Sequence, residues 1–196
     1  MTAAARFRIE WSTESGALVA AEPLLADVAG QAAFLAAAYS APENARLMGH
    51  PEPFSAADVV EHYAALLAEG GRPFLLYLDG KLVGDADLRG IRDGAAEFAF
   101  MIAARDLQGR GLGTKFALMI HAFAFSTLEL ERLYVSVAPE NHASRRVFEK
   151  LGYRVDGGAE ARSFADEPGD VTLAIWRASF LQAHADVLAE IQARAL

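Results

Sequence analysis

The segment Gln108-Gly109-Arg110-Gly111-Leu112-Gly113-Thr114 follows a strand-like run and opens directly into the apolar stretch Lys115 to Thr127. A chain with this junction must turn sharply from an extended segment into a helix. Its glycines accept backbone angles closed to other residues and let the main chain approach a ligand with no Cβ in the way. Several peptide N–H groups then point at one anion, and the helix brings about half a positive charge to its N-terminus. Arg110 lies inside the turn, where a desolvated guanidinium contact contributes roughly 1.5–3 kcal/mol. A tight strand-to-helix connection is the plainer reading. Gly109, Gly111 and Gly113 read G-x-G-x-G, which departs from the dinucleotide fingerprint, and Thr114 precedes Lys115, reversing the order of a nucleotide P-loop. The pattern they do form is Q-x-x-G-x-G, on Gln108, Gly111 and Gly113.

Periodicity and turn residues predict an alternating plan around this junction. Arg6 to Trp11 reads as a strand and Ala17 to Ala21 pairs with it, together an N-terminal strand region over residues 1–21. Pro23 starts a helix running to about Tyr39, and Ser55, with Asp58 three residues on, caps a helix ending near Gly70-Gly71. Phe74 to Leu78, the Asp79-Gly80 turn and Leu82 to Arg89 make a hairpin. Strands follow over Ala96 to Ala103, Arg132 to Val137 and Val171 to Trp176, and Asn141 caps a helix that Gly152 ends. The segment between Ala36 and Ser55 holds three prolines and little periodicity. It is either a mobile wall over a site or an ordinary surface loop. Residues 178–196 read as a C-terminal helix with Phe180, His184, Val187, Leu188 and Ile191 near one face, for docking on its own domain or on a second copy. The fold class expected is a mixed, mostly antiparallel α/β sheet with helices on both faces, in one domain over 1–196.

Eighteen basic against twenty-six acidic residues leave a net charge of −8, which offers no general attraction to phosphate backbones and argues against a nucleic-acid partner. The absence of cysteine excludes disulfides, a thiolate nucleophile and Cys-based zinc sites. The histidines, at 50, 62, 121, 142 and 184, form no metal-ligand spacing, so no metal is expected. No signal-like start or membrane-length apolar run is present, which predicts a cytoplasmic protein with no membrane partner.

A second segment stands downstream of the glycine turn: Val135-Ser136-Val137, then Pro139-Glu140-Asn141, Ser144, Phe148 and Leu151-Gly152-Tyr153. With Gln108, Gly111 and Gly113 it resembles the GNAT family of acyl-CoA-dependent N-acyltransferases. Ser144, together with Glu97 to Ile102, makes the chain most similar to the bacterial branch containing the ribosomal-protein N-terminal acetyltransferases RimJ and RimL. The resemblance spans about residues 74–155. It implies a GNAT fold and an N-acetyltransferase that moves an acetyl group from acetyl-CoA to a primary amine, on a protein N-terminus or a small molecule. It also implies that Met101, Ile102, Ala103, Gln108, Gly109, Arg110, Gly111, Leu112, Gly113, Thr114, Asn141 and Phe148 hold the coenzyme, and that the enzyme is a monomer or homodimer. One alternative is a non-catalytic module that binds coenzyme A, since Phe148 stands where many GNAT enzymes place a tyrosine. Another is an acyltransferase using a longer or aminoacyl donor.

Acyl transfer needs a neutral amine and a stabilised leaving thiolate. Deprotonating a lysine at pH 7 costs roughly 4.6 kcal/mol, against roughly 1.4 for an α-amine. Glu97 is the candidate base; a solvated strand-end carboxylate is its competing reading. Phe148 has no proton to give, and Ser144, one turn earlier on the same helical face, is the candidate donor to the thiolate. Tyr134 and Ser136 are weaker options. Asp85 and Asp87 alternate onto one strand face, where they line a cationic acceptor pocket or face water; Tyr134 is a further acceptor candidate. Asp166, Glu167 and Asp170 are similar candidates.

Overall fold

The computed structural model describes residues 5–47 and 52–196; His50 and the centre of the proline-rich segment lie outside them. Its elements run β1 (Phe7–Thr13), β2 (Gly16–Ala21), α1 (Leu25–Tyr39), α2 (Pro42–Leu47), α3 (Ala56–Ala68), β3 (Arg72–Leu78), β4 (Lys81–Arg92), β5 (Ala95–Ile102), α4 (Leu112–Ser126), β6 (Arg132–Val137), α5 (His142–Leu151), β7 (Arg154–Val155), α6 (Ala159–Arg162), β8 (Val171–Trp176), α7 (Arg177–Ala183), α8 (Ala185–Leu188) and β9 (Gln192–Ala195). The strands form one nine-stranded sheet in the order β7-β8-β6-β5-β4-β3-β2-β1-β9. All paired neighbours are antiparallel except β5 and β6.

Alternation along β3 shows how the sheet divides its two faces. Phe74 and Leu76 join α4 and α7 residues in the main core, while Leu75 packs with Val28, Leu35, Val59 and Tyr63 of α1 and α3. Helices therefore cover both faces, as the patterning predicts. Ser55 and Asp58 close the expected capping box, and Asn141 accepts from the Ser144 N–H at 3.1 Å.

The C-terminal helix over 178–196 is corrected. Only α7 and the single turn α8 are helical, and Gln192–Ala195 pairs antiparallel with β1. Phe180 is fully buried and Val187, Leu188 and Ile191 pack on the main core, so the apolar face docks on its own chain. The last residues then satisfy the edge of β1, whose peptide groups have no other strand on that side. Among the described residues no helix is long and apolar enough to cross a membrane.

Candidate active site

The sheet splits where the glycine turn leaves it. Pairing between β5 and β6 runs only from Ala95↔Arg132 to Glu97↔Tyr134, although β5 continues to Ile102 and β6 to Val137. Beyond Glu97 the β5 edge facing β6 has no strand partner, so its peptide groups are available to an extended ligand. A cavity of about 730 Å³ occupies the split. Phe98, Phe100, Asn141, Ser144 and Phe148 line it from the α4 side, and Asp85, Asp87, Tyr39 and Asp166 from the other.

On the first side the glycine turn leaves the N-terminus of α4 uncapped. Gly111 is the N-cap of α4 at φ +82°, no side chain caps the helix, and a Cβ there would meet nothing within 4 Å. The first-turn N–H groups have no intrahelical acceptor by geometry. Gly109 is also left-handed, and Arg110 is exposed beside it. Gly113 lets the helix press onto β5, since a Cβ there would lie 2.8 Å from the Phe100 ring. Leu112 is buried in the core, and Thr114 is half-buried in the first turn. Gln108 is exposed, and its Nε2 donates to the Ile102 carbonyl at 2.7 Å, tying the turn to the end of β5.

Met101 lines the cavity and its sulfur accepts from the Asn44 amide, whereas Ile102 and Ala103 are buried. The Ala103 N–H is already committed to the Val83 carbonyl at 2.8 Å. Phe148 is buried edge-on against Phe100 at 5.9 Å and Phe98 at 6.3 Å. It shapes the cavity wall. Asn141 and Ser144 both line the cavity while the asparagine caps α5.

The opposite side is acidic. Asp85 is only 5% exposed, and its Oδ2 accepts the Tyr39 hydroxyl and, at 2.9 Å, that of Tyr63. Glu97 is buried, not a solvated strand end, and Arg89 grips both its oxygens at 2.9 and 3.0 Å. The same guanidinium binds Asp166 at 2.8 and 2.9 Å, pinning the loop before β8 over the cavity. Ser136 donates to Asp170 at 2.7 Å and accepts the Asp166 N–H. Glu167 and Asp170 also line the cavity. Tyr134 is elsewhere: fully buried, it stacks on Phe164 at 4.7 Å in a separate cluster with Ala95, Ala161 and Ala174. Sequence reasoning missed Tyr39, Tyr63 and Arg89, and the one available signal was the hairpin spacing that sets Arg89 opposite Glu97.

Burial pushes the Asp85 carboxyl up to about 6, opposed by its tyrosine partners. It pushes Asp87 up to about 7, with Arg89 pulling down and Asp85, Glu97 and Asp166 pushing the same way as burial. Both groups bind protons in the folded state at a pH where the unfolded chain has released them, so their contribution to stability falls as pH rises through this window, while His121, held neutral by burial at about 3, contributes in the opposite sense at its acid end. The melting temperature is expected to be roughly 2–6 °C higher near pH 5.5 than near pH 8, and Asp87→Asn to flatten that slope. Calorimetric scans across the window check both. Among the described residues no group of His, Asp and Glu side chains is arranged to hold a metal ion.

Residues 24–154 match the family described as an acetyltransferase (GNAT) domain. A spermidine N(1)-acetyltransferase of Escherichia coli K12 is 34% identical over 88 residues, covering 44% of this chain and 47% of the relative. A probable N-acetyltransferase of Bacillus subtilis, YjcK, is 35% identical over 40% of this chain and 45% of its own length. The chain thus matches about half the length of these curated relatives. Among solved structures, Mycobacterium smegmatis RimJ in complex with CoA-disulfide has a TM-score of 0.68 at 20% identity, over 94% of this chain and 96% of that one. The aminoglycoside acetyltransferase AAC(6')-Ib in complex with ribostamycin and coenzyme A has a TM-score of 0.72 at 22% identity, over 86% and 98%. Vibrio cholerae spermidine N-acetyltransferase with CoA and spermine has 0.65 at 21%, over 78% and 93%.

Proposed function

Because the chain belongs to the GNAT acetyltransferase family, we propose that it is an acetyl-CoA-dependent N-acetyltransferase acting on a primary amine. The observation that carries this reading is the continuity of the cavity from the α4 side of the sheet to the acidic side, through the split between β5 and β6. In this reading the uncapped N-terminus of α4 takes the coenzyme's diphosphate, where helix dipole and amide hydrogen bonds favour an anion. The open edge of β5 receives the pantetheine arm as an added strand would be received. Asn141 meets the arm from α5, and Ser144 gives the departing thiolate the proton that Phe148 cannot supply.

The acceptor enters from the acidic side. Carboxylates at 85, 87, 166, 167 and 170 around one opening favour a cationic small-molecule amine. The structural relatives bound to spermine and ribostamycin are consistent with that class. Held close and oriented, amine and thioester gain about 7–11 kcal/mol through effective molarity alone. We place the protein in a bacterial cytoplasm, where acetyl-CoA is supplied, as one domain acting without metal.

The test is thiol release from acetyl-CoA with spermine, kanamycin and a peptide bearing a free N-terminus. Turnover is expected with at least one, and with spermine or kanamycin faster than with the peptide. Tight acetyl-CoA binding without thiol release for any amine would instead support a non-catalytic coenzyme A module.

A further inference from the structure

Strands β4 and β5 bring three carboxylates to the acidic half of the cavity, Asp85, Asp87 and Glu97, and two of them are engaged. Glu97 is chelated by Arg89, and Asp85 receives two tyrosine hydroxyls. Asp87 differs. Its Oδ1 is buried and accepts no hydrogen bond, the only such carboxylate oxygen among the described residues. Its ionic neighbour, Arg89 Nε, is 3.8 Å away, beyond hydrogen-bond reach, and Arg89 spends its shorter contacts on Glu97 and Asp166. An acceptor oxygen left without a protein partner on a cavity wall is open to a donor from a ligand such as an ammonium group.

Register supplies the second observation. Asp87 pairs directly with Ala99, whereas Asp85 faces Met101 and Arg89 faces Glu97. Ala99 is therefore a gap between two long side chains on the same face of β5. It lines the cavity, and it lies on the stretch of β5 that has parted from β6. Across from the Asp87 backbone, β5 presents only the methyl group of Ala99.

We propose that Asp87, rather than Glu97, takes the proton from the acceptor ammonium, and that Ala99 is the passage through which the freed amine reaches the thioester. This rests on the N-acetyltransferase reading above. The Asp87 carboxylate accepts one proton from R–NH3⁺ and becomes the acid, leaving R–NH2. The nitrogen lone pair forms the C–N bond to the acetyl carbon, the C–S bond breaks, and its electron pair leaves on sulfur. Ser144 gives its hydroxyl proton to the thiolate and takes up the second proton shed by nitrogen, and Asp87 returns its own proton to solvent, so the products are amide, thiol and one released proton. Glu97 is a positioning residue here: it orients Arg89, which fixes the Asp166 loop and stays near Asp87.

A base that works near neutral pH needs a proton affinity in that range, and burial raises Asp87 to about 7. The charged and titratable groups around it are Asp85 and Arg89 on β4, Glu97 on β5, Tyr39 on α1, His62 and Tyr63 on α3, and Asp166, Glu167 and Asp170 on the loop, with Arg46 and Glu140 at the rim.

The experiment compares wild type and Asp87→Asn in thiol release with acetyl-CoA and whichever of spermine, kanamycin or peptide turns over fastest, from about pH 5.5 to about pH 9.5. At pH 7 the variant is expected to lose about 100- to 1000-fold in kcat/KM, with the gap narrowing as pH rises and acetyl-CoA affinity by calorimetry unchanged. The acid limb near neutrality should vanish, leaving a rise that follows the amine's own ionisation. A folded Asp87→Asn that keeps the wild-type acid limb, even with a raised KM, overturns the assignment. If that variant does not fold, Asp87→Glu decides: moving the carboxylate should shift the limb's midpoint, and an unmoved midpoint assigns the proton to another group. A wild-type protein silent with all three amines overturns the N-acetyltransferase reading itself, which keeps the two failures apart.

Discussion

Gly84→Ala is expected to lower the melting temperature by roughly 6–12 °C, which corresponds to about 3 kcal/mol. Gly84 sits in β4 opposite Ile102, and a Cβ built there would lie 2.0 Å from the Met101 carbonyl oxygen. That oxygen is backbone. It cannot move aside as a flexible side chain can, so relief requires β4 and β5 to separate at the end of β5. There Ala103 and Ala104 hydrogen-bond the Val83 carbonyl, and Gln108 ties the glycine turn to Ile102. The substitution therefore loosens the cradle along with the sheet, and acetyl-CoA affinity should fall with stability. Gly30→Ala is the control: it lies in α1 with nothing within 4 Å of an added Cβ, and should raise stability by about 0.4–1 kcal/mol. Calorimetric scans of both proteins are the measurement. A Gly84→Ala protein melting with the parent would mean that the close approach of β4 to β5 is not a constraint on the fold.

How much of this was legible in the sequence depended on whether the cause was local. Ser55 and Asp58 announce a capping box because both partners lie within one turn, and the structure forms it. Asp79-Gly80 announces the β3–β4 hairpin because two adjacent residues must take positive φ, and they do, at +48° and +76°. The glycine turn and the helix after it are likewise written in contiguous residues. What escaped depends on distant chain segments meeting. Gln192–Ala195 has no strand pattern of its own and becomes β9 only because the β1 edge is free.

The acidic side of the cavity failed in the same way. Alternation correctly put Asp85 and Asp87 on one face, and Glu97 on the face of Ala99. The tyrosines that hold Asp85 come from two helices, at positions 39 and 63, and no spacing in the sequence relates them to it. Arg89 could be matched to Glu97 only by fixing the hairpin register, and its reach to Asp166 spans 77 residues. Tyr134 shares the strand face of Ser136, yet Phe164 folds over it, so the same alternation gave one cavity residue and one core residue.

Gly111→Asp is expected to weaken acetyl-CoA binding by about 100-fold, because it puts a carboxylate where the proposed diphosphate contacts the first turn of α4. Loss of charge-assisted hydrogen bonds contributes about 1.5–3 kcal/mol, a factor of roughly 10 to 150 in Kd. The new carboxylate also occupies the N–H groups, satisfying donors that the wild-type helix leaves uncapped. The backbone cost is separable. Residue 111 is held at φ +82°, a conformation that costs a residue with a Cβ about 1–2 kcal/mol, and the space around it is open, so the chain still folds. Aspartate is among the better tolerated residues in that region. Gly111→Ala carries at least as large a backbone cost with no charge, and should bind acetyl-CoA within a few-fold of wild type. Titration calorimetry on the three proteins tests the assignment. Equal affinities for the alanine and aspartate variants would show that no anion sits at the α4 N-terminus. A large loss confined to aspartate, which weakens as salt screens the added charge, would establish electrostatic recognition of the diphosphate there.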